Sequence, residues 1–177
     1  MELIKYLVFG LLTVLVLIIS WNSILDVKSR KFYRFLVFES ILILLLFSVD
    51  YWFTNPFSFG QIISWLLLLV SIFLVVDSLL LQVAAGNYKK ARTGNPIQLI
   101  MNRSYKYIRH PLYCSLLFLG WGVYMKNSTY PGVIFIIIMT VFIYRMVIIE
   151  EAENIKKFGD EYKQYMKNSK MLIPFIV

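Results

Sequence analysis

The sequence predicts an all-α, polytopic membrane protein with five transmembrane helices and a cytosolic helical tail. Three observations carry that reading. Apolar residues make up 59% of 177 and mean hydropathy is +0.70, both above the globular average. The apolar residues fall into five runs, near 3–22, 35–53, 57–81, 111–125 and 131–149, and all but the fourth approach the ~20 residues that cross hydrocarbon. The basic residues gather in alternate loops, the asymmetry that sets orientation.

The first run lacks a small-residue cleavage pattern and reads as a span, not a leader. Lys5 within it reaches back to the interface. The loop 23–34 holds Lys28, Arg30, Lys31 and Arg34 against Asp26. Runs two and three carry Glu39, Asp50 and Asp77. Glu39 and Asp50 read as interfacial or paired, whereas Asp77 is a candidate for a substrate or a partner charge, since ionisable groups are costly in hydrocarbon.

The loop 82–110 holds Lys89, Lys90, Arg92, Arg103, Lys106 and Arg109 and no acid. Gly86, Gly94 and Pro96 break it, and its length marks it as functional. It ends in Tyr105-Lys-Tyr-Ile-Arg-His-Pro-Leu-Tyr113, with the only histidine, His110. Proline at 111 pushes His110 toward extended backbone and suits the first helical position. A helix therefore starts here with its amides toward water, a setting for a carboxylate or phosphate. The run that follows is short, so it begins before Pro111, tilts little or starts below the hydrocarbon edge. Gly120 and Gly122 allow close helix approach, and 126–130 reads as a tight hairpin.

The last run ends at a second polar cluster, Glu150-Glu151-Ala152-Glu153, with Arg145 just before it. Glu153 and Lys157 stand four apart, a helix-face pair. Gly159 reads as a left-handed stop. A short helix follows from Asp160 through Asn168 with Tyr162, Tyr165 and Met166 on one face. The apolar end, Met171 to Val177, is stopped by Pro174 and packs back on the membrane or the core. Placing the basic loops in the cytosol puts the N-terminus outside, the C-terminus inside, and both polar clusters on one side. The two clusters are expected to close on one anionic or zwitterionic ligand.

The net charge of +8 does not read as nucleic-acid binding, because the basic residues flank spans; anionic lipid headgroups suit them better. The lone cysteine, Cys114, gives neither a disulfide nor a metal cluster and reads as packing. There is no Rossmann fingerprint, no Ser/His/Asp set and no HExxH. The chain reads as one domain, with three N-terminal spans in 1–81 and a ligand-binding half in 82–177. Oligomeric state is not legible.

The stretch Tyr105–Tyr113, then Arg145 with Glu150-Glu151, then Phe158-Gly-Asp-Glu-Tyr162-Lys-Gln-Tyr165 and Ile173-Pro174-Phe175-Ile176 resemble the isoprenylcysteine carboxyl methyltransferase family and its phospholipid methyltransferase relatives. The resemblance covers roughly 97–176; the earlier spans match only in character. It implies an integral membrane enzyme using S-adenosylmethionine, with a lipophilic small-molecule or prenylated acceptor arriving through the bilayer. It implies cofactor contacts from Ile97, Gln98, Leu99, Ile100, Tyr105, His110, Pro111, Leu112, Tyr113 and Glu150. Arg145 would face the acceptor, although its spacing to Glu150 is one residue longer than the commonest family pattern. Glu150 or Glu151 would take a proton from an amine acceptor. A carboxylate is the first expectation for the acceptor; a phospholipid amine or small thiol is the alternative. An NADPH-dependent sterol or lipid reductase and a non-enzymatic membrane scaffold are further alternatives. Lysine, isoleucine and asparagine richness leans toward a prokaryotic cell membrane.

Overall fold

The computed structural model describes residues 2–24, 26, 29–87, 89–90 and 97–173, and for residues 2 and 22–24 the backbone alone. Gly94, Pro96 and Pro174 to Val177 lie outside the described residues. The bounded helices are α1 (Glu2–Ile24), α2 (Arg30–Ser48), α3 (Phe59–Ala84), α4 (Ser104–Tyr107), α5 (Pro111–Tyr124), α6 (Tyr130–Phe158) and α7 (Asp160–Asn168). A 3-10 turn, Val49–Tyr51, extends α2.

Local chemistry sets these bounds. The Ser29 side chain accepts the Lys31 amide and starts α2, five residues before its apolar run. The Thr129 hydroxyl accepts the Gly132 amide and starts α6. That helix continues past its apolar run through the glutamate cluster to Phe158, because hydropathy marks only the bilayer-facing part. Gly159 stops it at φ +58 and ψ −128. This is the region of positive φ that glycine enters freely, not the left-handed helical one that the sequence suggested.

Four helices, α1, α2 with its 3-10 turn, α3 and α6, are long and apolar enough to cross a membrane. The expected fourth crossing, α5, has only 14 residues, about 21 Å at helical rise. It is a shorter apolar helix, fixed by Pro111 at one end and the turn at Met125 at the other.

The helices meet in pairs: α3 on α5, α2 on α6, and α1 on α2. The core draws Val37, Ile41 and Leu44 from α2, and Ile136, Met139, Ile143 and Val147 from α6, each set at helical spacing. The α3–α5 seam is polar and tight. Ser64 donates to the Gly122 carbonyl at 2.6 Å, and Ser71 donates to the Ser115 carbonyl at 2.8 Å. A Cβ on Gly122 would sit 3.0 Å from Leu68 and 3.2 Å from the Ser64 carbonyl. Gly120 faces α6, where a Cβ would sit 2.2 Å from the Met139 sulfur. By contrast α2 and α3 both pack on α5 and scarcely on each other, which leaves a gap between them.

The far end holds a buried cation that has no acidic partner among the described residues. Lys126, which opens the tight hairpin read from the sequence, is 4% exposed. Its ammonium donates to Gln61 at 2.8 Å and lies 3.5 Å from the Trp65 ring centroid. Trp52 flanks it at 5.6 Å. The aromatic faces supply the negative potential that a carboxylate otherwise would. Lys5 pairs with Asp50 at 2.7 Å and so joins α1 to the end of α2.

Substituting Gly122→Val should destabilise the bundle by about 1–3 kcal/mol, read as a lower midpoint of unfolding in detergent. Gly10→Ala, where nothing lies within 4 Å, should leave that midpoint unchanged.

Candidate active site

The polar end of the bundle is closed by a clip between the chain's tail and the segment before α5. The Arg109 amide donates to the Lys170 carbonyl at 2.7 Å, the His110 amide to Met171 at 3.2 Å, and the Lys170 amide to Tyr107 at 3.0 Å. These bonds form a short parallel pairing around Ile108 and Lys170. Arg109 then reaches under the clip. Its Nε donates to Glu151 at 2.7 Å, and Nη1 donates to the carbonyls of Met166 and Ser169. Both members of the Arg109–Glu151 pair are 8% exposed.

Tail helix α7 rests on this clip. Tyr165 donates to the Tyr105 carbonyl at 2.5 Å, and the Tyr162 hydroxyl lies 3.5 Å from His110 Nε2. Burial pushes both phenols above the usual tyrosine range, so they stay neutral and serve as hydrogen-bonding groups. Met171, Leu172 and Ile173 return to the core, with Leu172 buried in it.

Above the clip lies a cavity of about 710 Å³, within the ~300–1,000 Å³ range of small-molecule sites. One wall is the extended stretch Ile97 to Ile100. Asn87 holds it by a two-way clasp: its Oδ1 accepts the Gln98 amide at 2.9 Å and its Nδ2 donates to the Gln98 carbonyl at 3.0 Å. Gln82 supports Asn87 and donates to the Tyr105 hydroxyl at 3.1 Å. Another wall is the start of α5, where His110 is the N-cap and its side chain makes no capping hydrogen bond. His110 and Tyr113 stack with ring centroids 5.8 Å apart.

Glu150 faces these rings from α6. Its Oε2 accepts from the Tyr113 hydroxyl and from Arg30 Nη1, each at 2.5 Å. Arg30 also bonds Glu153 at 2.9 Å, so Glu153 is tied across to α2 and not along its own helix to Lys157. Among the described residues, no hydrogen bond is made to Glu150 Oε1, which lies 3.9 Å from His110 Nδ1. Glu150 thus has one oxygen anchored and one available.

The structure brings together Ile97, Gln98, Leu99, Ile100, Tyr105, His110, Leu112, Tyr113 and Glu150 in the cavity lining. Pro111 is buried as the first residue of α5. Glu151 sits behind the lining, tied to Arg109. Arg145 is exposed on α6 and outside the lining. Asp77 points elsewhere: it pairs with Arg103 at 2.6 Å and accepts the Ser104 amide at 3.2 Å. It thereby holds the turn where Arg103 takes φ +51. Residues that sequence reasoning missed include Arg30, Arg34 and Phe38 of α2, Gln82 in the last turn of α3, and Asn87 beyond it. The first three recur at helical spacing, a signal visible in the sequence but overshadowed by the loop's net basic charge.

Fold and site together define a helical protein of the membrane-spanning type with a ligand-sized cavity at an end of the bundle. The chain is 27% identical over 113 residues to methanethiol S-methyltransferase 1 of Bradyrhizobium diazoefficiens, covering 63% of this chain and 39% of that enzyme. It is 26% identical over 174 residues to methanethiol S-methyltransferase of Crocosphaera subtropica, covering 89% and 66%. It is 29% identical over 114 residues to the enzyme of the same name from Pseudomonas deceptionensis, covering 63% and 42%. The chain thus spans less than two-thirds of the length of each relative. No protein-family profile matches it.

Removing Glu151 as Glu151→Leu strands a buried guanidinium and should cost about 3–5 kcal/mol. Arg30→Gln, at a half-exposed pair, should cost about 1 kcal/mol or less. Thermal unfolding of the two variants in one detergent checks the contrast.

Proposed function

We propose that this chain is a membrane methyltransferase that uses S-adenosylmethionine and methylates a thiol. The likeness to three relatives named methanethiol S-methyltransferase carries the reading. It favours the thiol over the carboxylate acceptor that the sequence resemblance put first. In this reading α5 is the fourth of five crossings, the cavity opens to the cytosol, and the membrane is a prokaryotic cell membrane.

The cavity's donor set fits this cofactor. A carboxylate oxygen left available at Glu150 and the faces of His110 and Tyr113 suit a sulfonium or an ammonium. The start of α5 suits a carboxylate. The clasped stretch Ile97 to Ile100, fixed by Asn87, offers a rigid apolar wall for a flat ring. When bound, S-adenosylmethionine supplies a methyl group activated on a cationic sulfur.

The chain's own residues do the rest by placement. Tyr113 and Arg30 fix Glu150 from two helices, so its available oxygen is held without motion. The Arg109–Glu151 clip fixes His110 relative to α6. In-line alignment of this kind supplies a large part of a transfer rate. Tyr162 and Tyr165 cover the cavity on its aqueous side. Glu151 serves as a support for this geometry, and Arg145, outside the cavity, has no part in it.

The test is transfer of labelled methyl from S-adenosylmethionine by protein in lipid nanodiscs, with an alkanethiol and a prenylcysteine offered separately. Methylation of the thiol is expected; methylation of the prenylcysteine carboxylate alone would overturn the thiol assignment. Glu150→Gln, which removes the charge facing the cationic donor, should lower kcat/KM about 100-fold, and Arg145→Gln should stay within about twofold of the parent.

A further inference from the structure

Helix α2 presents Arg30, Arg34 and Phe38 to the cavity. They stand at i, i+4 and i+8, one stripe of one helix face. Arg30 is consumed by Glu150 and Glu153. Arg109, also in the lining, is consumed by Glu151. Lys157 sits at the aqueous end beside the Phe158 ring. Arg34 differs from all of these. It lines the cavity one turn deeper than Arg30, about 6 Å along α2, and it makes no hydrogen bond or ion pair with another described residue.

Beyond Arg34 the lining changes character. Phe38 of α2, Val75 and Leu79 of α3, and Leu116 of α5 line an apolar limb that is open along Phe38 and Leu79, both exposed, in the gap left because α2 and α3 scarcely touch. A permanently charged guanidinium at the mouth of an apolar limb matches a ligand with an anionic head and an apolar chain. Methanethiol has no chain to fill that limb.

We propose that Arg34 is the acceptor-recognition residue, holding the acceptor as an anion at the mouth of the limb, and that the acceptor is an alkyl thiol longer than methanethiol. The proposal rests on the methyl-transfer reading given above. The thiol's proton leaves to solvent as the thiolate forms beside Arg34. The thiolate sulfur then forms the new bond to the methyl carbon. The bond from that carbon to the donor sulfur breaks, its electron pair staying on the donor, and two neutral sulfides result. Arg34 acts by lowering the proton affinity of the acceptor, since a nearby cation favours the charged form. It also orients the anion through directional donors.

The experiment compares the parent, Arg34→Gln and Arg34→Lys in nanodiscs. Hexanesulfonate, an unreactive anion with an alkyl chain, is titrated calorimetrically without cofactor. Arg34→Gln should weaken its binding about 10- to 100-fold, and Arg34→Lys should recover part of the loss. With hexanethiol as acceptor, the acid limb of the kcat/KM profile should rise by about one pH unit in Arg34→Gln. Affinity for S-adenosylhomocysteine should be unchanged, which shows the site intact. In the parent, KM should fall along methanethiol, butanethiol and hexanethiol. Unchanged sulfonate binding in Arg34→Gln would overturn the proposal and leave Arg34 as an anchor to lipid headgroups. A flat thiol series would overturn the alkyl-chain assignment. Because sulfonate binding is read without cofactor, the role of Arg34 stands or falls even where methyl transfer itself fails.

Discussion

The polar end of this molecule depends on one buried ion pair. Arg109 and Glu151 are each 8% exposed and joined at 2.7 Å, and Arg109 spends its remaining donors on the tail carbonyls of Met166 and Ser169. One guanidinium therefore ties together the segment before α5, the end of α6 and the turn after α7. A buried pair gains little net stability over apolar packing, yet losing one partner is severe. Its value here is geometric. It makes the tail a structural part of the cavity and fixes where α5 begins.

The helical bundle behind the site divides into a rigid half and an open half. The α3–α5 seam is zipped by Ser64 and Ser71 onto α5 carbonyls and brought close by Gly122, the small-residue logic of helix association in lipid. At the far end Lys126, caged by Trp65 and Trp52, locks the turn between α5 and α6 to α3. No comparable zipper joins α2 to α3. The cavity lies where packing is withheld, and α2 contributes two arginines there beside the ring of Phe38.

Much of this was legible in the sequence because strong local rules were at work. Pro111 after His110 announced a helix start, and that start forms a cavity wall. The glutamates at 150 and 151 stood where a span met water, and they take two different roles. What the sequence hid were choices between equal partners. Arg30 looked like one of several positive-inside residues, and only the fold shows that it crosses to Glu150. Asp77 stood open between a substrate and a partner charge, and the turn at Arg103 supplies the partner charge. The sequence marked the hairpin that begins at Lys126 but not the aromatic cage that buries its ammonium. The single-residue shift between Arg145 and Glu150 amounts to a rotation of about 100°, and Arg145 lies exposed, outside the lining. The length of α5 was visible as a short run, and the structure keeps it short.

The central claim is that the cavity between Ile97–Ile100, the start of α5 and Glu150 holds the methyl donor. Calorimetric titration of purified protein with S-adenosylhomocysteine, with NADPH as the control, tests it most directly. Saturable binding of S-adenosylhomocysteine alone, lost in His110→Ala protein that remains folded, is the expected result. Binding of NADPH alone, or binding of neither by folded protein, would contradict the claim and leave His110 and Glu150 as structural residues at the ends of their helices.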